Sequence, residues 1–236
     1  GWGNICLIDF FGLQMKVNQT KNKMPVAQRP RIKGLYAITP DIENTSDLIE
    51  KVDQVLSSGV QFIQYRNKTI LYEQRLCQAS AIMELCQRYE AKLIVNDYLD
   101  IALAVNADGL HVGKADISIQ KARTYLGRHK IIGASCYNQT DLALIAESEG
   151  ADYVAFGAFY ASRTKMDTVK ANPNLLTQAK TVLQTPIVAI GGINVTNAAP
   201  LIFYGCDAIA VSDGLFSAAH IPSTVKKLAS LFLANS

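Results

Sequence analysis

Two aspartates and a scatter of cations are the residues whose types and spacing suggest chemistry in this 236-residue chain. Asp97 closes the run KLIVND, and Asp116 lies two residues beyond GLHVGK. Two carboxylates at neighbouring strand ends suit a hard cation such as Mg²⁺, which takes a few carboxylates and completes its shell with water and substrate phosphate oxygens. Either aspartate could instead, or also, cap the helix that follows it. Arg66 and Lys68 stand two apart in QYRNK, so on a strand their side chains share a face. A pair of cations there suits an anion, with a solvated surface pair as the plain alternative. Lys165 lies in a long stretch between Phe159 and Asn172 that is rich in Ser, Thr and cations. A loop of that length is uncommon unless functional, and a lid carrying Lys165 onto a phosphate is the natural reading. Gly191-Gly192 and Ser212 end two late β-rich runs, where backbone N–H groups at a helix start cradle phosphate. The expected site takes two anions: a metal-bound polyphosphate near the early strands and a simple phosphate near the late ones. Cys136 is the only candidate thiol nearby and reads as a wall residue.

These residues need a scaffold that brings strand ends together. From Gly34 onward, short β-rich runs alternate with helical stretches. The runs are GLYAIT (34–39), FIQYRN (62–67), KLIVND (92–97), GLHVGK (109–114), KIIGAS (130–135), YVAFGA (153–158), PIVAIGG (186–192) and AIAVSD (208–213). Helical spacing fills 47–59, 72–90, 117–126 and 140–150, and Gly59, Gly150 and Gly205 stand where helices should stop. Eight near-continuous apolar strands with helical crossovers predict a parallel sheet covered by helices. Eight units in about 200 residues predict a closed (β/α)8 TIM barrel, an α/β fold, whose function concentrates at the C-terminal strand ends. An open doubly wound sheet is the runner-up, weakened because no GxGxxG follows the first strand. The helix over 98–106 is the shortest and the weakest link in the eightfold count.

Composition excludes several classes. Hydrophobic residues make up 49% and charged residues 18%, which is too apolar for wholesale disorder. No apolar run approaches the roughly 20 residues that span a bilayer. Residues 1–33 hold six Lys/Arg and one Asp, net +5, and the remainder holds 17 Lys/Arg and 19 Asp/Glu, net −2. The body therefore lacks the basic footprint that nucleic acid needs. Five cysteines without a CxxC pair argue against a disulfide framework or zinc site and for a reducing, cytoplasmic setting. Residues 5–15 are apolar, but no basic stretch precedes them and no A-x-A site follows, so they make a poor secretory signal. Residues 1–33 read as an N-terminal extension outside the fold, possessing Pro25 and Pro30 in a basic lead-in, and 34–236 as a single catalytic barrel. Small-molecule substrates are the expected partners, with a homo-oligomer left open.

Taken in order, GLYAITP, QYRNK, LIVNDY, ADGLHVGKAD, IIGASCYN, GADYVAFGAFYASRTK and VAIGGI resemble the thiamine-phosphate synthase family, from Gly34 to about Phe216. The resemblance implies a transferase that joins 4-amino-5-hydroxymethyl-2-methylpyrimidine diphosphate to a thiazole phosphate or its carboxylated form. The products are thiamine phosphate and diphosphate, with Mg²⁺ assisting. It implies pyrimidine-diphosphate contacts at Gln64, Tyr65, Arg66, Asn67, Lys68, Asn96, Ser135 and Lys165. Metal ligands would be Asp97 and Asp116. Thiazole-phosphate contacts would be Ser162, Arg163, Thr164, Gly192, Val211 and Ser212. Arg66, Lys68, Ser135 and Lys165 would carry the catalysis, with Ser135 a hydrogen-bond donor and no protein nucleophile. Departures are Tyr98 for a frequent Arg, Lys114-Ala115 before Asp116, and Ala161 and Arg163 for prolines. Asp213 competes with Ser212 for the phosphate, and a carboxylate there would repel it. One rival is the related thiazole tautomerase, which resembles this chain but uses a His where Tyr137 stands. The other is a non-catalytic thiamine-phosphate-binding protein, which would not need the paired aspartates.

Overall fold

The structure, a computed structural model, describes residues 29–161 and 170–233. Each periodic stretch forms the element that its spacing dictates. Strand β1 (Gly34–Ile38) leads to helix α1 (Thr45–Ser57), β2 (Phe62–Tyr65) to α2 (Tyr72–Arg88), β3 (Lys92–Asn96) to α3 (Leu99–Ala104), and β4 (Gly109–Val112) to α4 (Ile119–Leu126). The second half follows with β5 (Ile131–Tyr137), α5 (Thr140–Ser148), β6 (Tyr153–Phe156), α6 (Asn174–Val182), β7 (Ile187–Ile190), α7 (Ala198–Phe203) and β8 (Ala208–Val211). Helices α8 (Asp213–Phe216) and α9 (Ile221–Leu233) complete the described chain. Every strand pairs in parallel with its neighbour in sequence, and β8 returns to β1, so the sheet is a closed eight-stranded barrel. That closure excludes the open doubly wound alternative. Short as it is, α3 still carries the chain from β3 to an adjacent, parallel β4.

Alternate strand residues point into the barrel and out to the helices. The interior layer contains Ile32, Tyr36, Ile38, Phe62, Ile94, Ile131, Tyr153 and the small side chains of Ala155, Ala208 and Ala210. The outer layer joins Leu35, Ile63, Leu93, Val95, Leu110 and Ile209 to apolar helix stripes such as Leu48, Val52 and Val55 of α1. Contacts with the barrel begin before the expected boundary at residue 33. Ile32 is 1% exposed and closes the N-terminal end of the interior, and Arg29 pairs with Asp152 at 2.9 Å.

That N-terminal end is built by repetition. Asp108, Asp152 and Asp207 stand immediately before β4, β6 and β8. Each accepts an amide N–H from the preceding strand: Leu93 at 2.9 Å, Ile132 at 2.8 Å and Ile187 at 2.8 Å. Strand amides at a barrel rim would otherwise lack a ladder partner, which is costly once water is excluded. Each carboxylate also meets a cation: Lys92 on Asp108, Arg29 and Arg123 on Asp152, and Lys180 on Asp207.

Candidate active site

At the opposite rim the C-terminal strand ends gather the polar residues. The segment after β2 is fastened to the end of β1. Thr39 Oγ1 accepts the Arg66 N–H at 2.9 Å and donates to the Arg66 carbonyl at 3.0 Å. Asp41 receives Arg66 Nη1 at 3.2 Å on both carboxylate oxygens and the Lys68 N–H at 2.9 Å. Lys68 reaches across to Asp97, with Nζ 3.1 Å from Oδ2. Arg66 and Lys68 lie just past the last residue of β2, yet both side chains stand at the mouth as their spacing from the inward Gln64 requires.

Two neighbours turn the other way. Tyr65 is 1% exposed and donates its hydroxyl to Gln78 Oε1 at 2.8 Å, inside the sheet–helix layer. Asn67, also 1% exposed, bonds the Ile42 carbonyl at 2.9 Å and the same Gln78 oxygen at 3.2 Å. Their side chains are turned into the frame around the loop, away from the mouth where Arg66 and Lys68 stand. Strand parity explains it: with Gln64 inward, the odd-numbered neighbours face outward. Sequence reasoning missed three framing residues here. Asp41 follows β1 in a TPD turn, and Gln78 and Arg75 sit one turn apart on α2. Arg75 binds the Asn67 and Ile70 carbonyls at 2.8 Å each and stacks 4.1 Å above the Tyr98 ring. Tyr98 therefore has a definite task where it departs from the family pattern.

Asp97 and Asp116 are free of the helix-capping duty that competed for them. The cap of α3 is Tyr98, and the cap of α4 is Ser118, whose hydroxyl accepts the Lys121 N–H. Asp97 has φ +64, in the left-handed region that Asp tolerates better than most residues. Its N–H is held by the His111 carbonyl at 2.9 Å. Asp116 Oδ2 accepts the Gly113 N–H at 2.7 Å. Burial and the neighbouring Asp97 carboxyl push the Asp116 carboxyl up, against the pull of the Gly113 amide and the Lys68 ammonium. Two neighbouring carboxyls, one of them pushed up partly by the other, are a donor set that a divalent cation relieves. Among the described residues no cluster of three or more His, Cys, Asp or Glu could hold a metal, so the set fits an ion that takes its remaining ligands from water and substrate.

Deeper in the barrel, Gln64 and Asn96 are 3% and 7% exposed. Asn96 is in register with His111, which places both on the inward face. Gln64 Nε2 donates to Tyr36 Oη at 3.0 Å, and Tyr36 and Tyr153 hydroxyls are 2.8 Å apart. His111 bonds Tyr153 Oη through Nδ1 and Ser135 Oγ through Nε2, each at 2.8 Å. Burial pushes the His111 imidazole down to about 4, Asp97 opposing, so the ring is neutral at pH 7. Burial likewise pushes the Cys136 thiol up to about 12, which removes it as a nucleophile.

The late strand ends converge. Gly192 has φ +61, and a Cβ there would strike the carbonyls of Tyr160 and Ala161. Gly214, in the first turn of α8, lies against the Ile193 carbonyl and Asn194 in the same way. Asn197 binds this corner together, donating to the Gly192 carbonyl at 2.9 Å and accepting the Asn194 N–H at 2.8 Å. Ser212 is the cap residue of α8 and makes no side-chain cap bond. Asp213 accepts its own Ser217 hydroxyl at 2.6 Å. Val211 is 1% exposed in the outer layer, so only its backbone can face the mouth. Ser162, Arg163, Thr164 and Lys165 lie outside the described residues.

A closed barrel whose mouth collects paired carboxylates, cations and close-packed late-strand glycines has the architecture of a barrel enzyme. The comparisons refine that class. The family model described as thiamine monophosphate synthase matches residues 35–215. A thiamine-phosphate synthase of Nitrosomonas eutropha is 53% identical over 208 residues, covering 88% of this chain and 98% of that protein. A second, from Nitrosospira multiformis, is 50% identical over 206 residues, 87% of this chain and 88% of that protein. The structure of a thiamine phosphate pyrophosphorylase from Pyrococcus furiosus superposes with a TM-score of 0.75 at 31% identity, covering 85% of this chain and 96% of that one. The chain belongs to the thiamine monophosphate synthase family, and it is an enzyme of the transferase class.

Proposed function

We propose that this barrel condenses 4-amino-5-hydroxymethyl-2-methylpyrimidine diphosphate with 4-methyl-5-(2-hydroxyethyl)thiazole phosphate, or its carboxylated form, to give thiamine phosphate and diphosphate. The observation that carries the reading is the contact of Lys68 with Asp97 at 3.1 Å across β2 and β3, with Asp116 beside them and Arg66 on the same rim. Mg²⁺, held by Asp97 and Asp116, would supply charge neutralisation to the diphosphate. Arg66, Lys68 and Lys165 offset the negative charge that builds on the leaving oxygen as the C–O bond breaks. Ser135 donates a hydrogen bond to the same group. The electron pair leaves with diphosphate, the aminopyrimidine ring delocalises the cation, and the thiazole nitrogen attacks it. No protein nucleophile is needed, in keeping with the unreactive Cys136. The second phosphate rests at Gly192 and Ser212, with Ser162, Arg163 and Thr164 as its further contacts. The Asp213–Ser217 bond favours Ser212 over Asp213 as the contact.

The paired aspartates weigh against a phosphate-binding protein without catalysis. Tyr137, where the thiazole tautomerase has its His, weighs against that enzyme. None of the four described cysteines is in a disulfide and three of them are buried, which suits a cytoplasmic enzyme. No helix among the described residues is long and apolar enough to cross a membrane. Mixing the two substrates with Mg²⁺ and the full chain should yield thiamine phosphate and diphosphate in equal amounts. Absence of both products would overturn the assignment.

A further inference from the structure

Five inward side chains form one continuous hydrogen-bonded row across the barrel interior: Gln64, Tyr36, Tyr153, His111 and Ser135. The three in the middle have no task in the reaction above. We infer that Tyr36, Tyr153 and His111 are positioning residues whose hydrogen-bond chain couples the anion at Ser135 to the side-chain amide of Gln64, so that each subsite sets the other's polarity. The inference rests on the proposed diphosphate site.

Each phenol has one proton to give, and a neutral imidazole has one. With Gln64 Nε2 donating to Tyr36, the Tyr36 proton goes to Tyr153 and the Tyr153 proton to His111 Nδ1. His111 then carries its proton on Nε2 and gives it to Ser135 Oγ. The Ser135 proton is left over, aimed at the mouth, where an anion accepts it. Reversing the row sends the Ser135 proton to His111 and that of Tyr36 to Gln64, which must turn its amide to accept. The interior offers no third arrangement without an unmatched donor, because Tyr36 and Tyr153 are at most 1% exposed. With Tyr153 Oη on one ring nitrogen and Ser135 Oγ on the other, His111 passes the polarity of one partner on to the other. An anion at Ser135 therefore leaves the Gln64 carbonyl oxygen free to accept a hydrogen bond from a donor on the ring of the first substrate. The row exists because residue 133 is glycine: a Cβ there would occupy the space of the Tyr153 ring.

Coupling of this kind is reciprocal and measurable as binding cooperativity. Calorimetric titration of the unphosphorylated aminopyrimidine alcohol into wild-type enzyme, with Mg²⁺, should show about fivefold or more tighter binding when inorganic diphosphate is present. Tyr153→Phe keeps the ring and its stacking on His111 but cuts the row, and its cooperativity should fall below about twofold while diphosphate alone binds as before. Tyr36→Phe should do the same, and supplies the answer if Tyr153→Phe does not fold. Cooperativity that persists in the folded variant, or is absent in wild type when both ligands bind, overturns the coupling alone. Wild-type enzyme that does not bind diphosphate at all overturns the reading of the mouth and the coupling with it.

Discussion

The two rims of the barrel use the same residue type for opposite ends. At the N-terminal rim, Asp108, Asp152 and Asp207 are saturated: each takes a strand amide and a cation. At the C-terminal rim, Asp97 and Asp116 crowd one another and share Lys68. Asp97 also holds a left-handed backbone conformation, a small cost that ordinary structure seldom tolerates without a return. The contrast shows how one barrel separates its own stability from its chemistry. Carboxylates that complete the sheet face one end, and carboxylates kept short of partners face the other.

Substitutions should separate the two rims. Asp97→Ala and Asp116→Ala should each lower turnover by roughly 10²-fold or more, through lost charge stabilisation, and shift the unfolding temperature little. Near-wild-type rates at saturating Mg²⁺ would break the contrast. Asp152→Ala should do the reverse. Its side chain is 9% exposed and anchors Arg29, Arg123 and the Ile132 amide, so its loss should cost about 3 kcal/mol. That lowers Tm by roughly 6–12 °C, with turnover at 25 °C retained. Lys165→Ala should slow the chemical step by about tenfold or more while changing thiazole-phosphate affinity less. Single-turnover kinetics showing the opposite would move Lys165 to the second substrate.

The smallest effect belongs to Glu147, at the stable end. Burial alone would raise its carboxyl, but hydrogen bonds from Thr185 and from the Gln184 and Thr185 amides outweigh it and hold the carboxyl below its ordinary range. A group depressed in the folded state contributes stability above its unfolded value and loses it as pH falls through the folded one. Urea unfolding of the wild type should weaken below about pH 4.5, and Glu147→Gln should flatten that acid limb. An unchanged limb would remove Glu147 from the set.

Much of this was legible in the residues. Seven of the eight strands lie inside the expected runs, and β5 runs two residues past its own, to Tyr137, because short β-branched stretches between helical spacings mark a strand better than they mark its end. Other runs overshoot at their C-terminal ends: Arg66-Asn67, Asp97 and Gly113-Lys114 look like strand but lie past the last residue of β2, β3 and β4, where the chain opens into the mouth. The outward direction of the Tyr65 and Asn67 side chains was not legible because the motif QYRNK counts as a block, whereas the sheet sorts it by parity. The burial of Ile32 was not legible, because a single apolar residue in a basic stretch carries no periodic signal. The interior row was invisible for a different reason. Tyr36, His111 and Tyr153 come from three separate strands, and only closure of the barrel sets them within hydrogen-bond reach.

The account's central claim is that the mouth draws diphosphate away by breaking its C–O bond and not a P–O bond. In oxygen-18 water, with pyrimidine diphosphate, Mg²⁺ and no thiazole phosphate, water should slowly trap the cation. Mass spectrometry should then find the label in the pyrimidine alcohol and none in the released diphosphate. Label in the phosphorus-bound oxygens, with unlabelled alcohol, would mean P–O cleavage and would contradict the account.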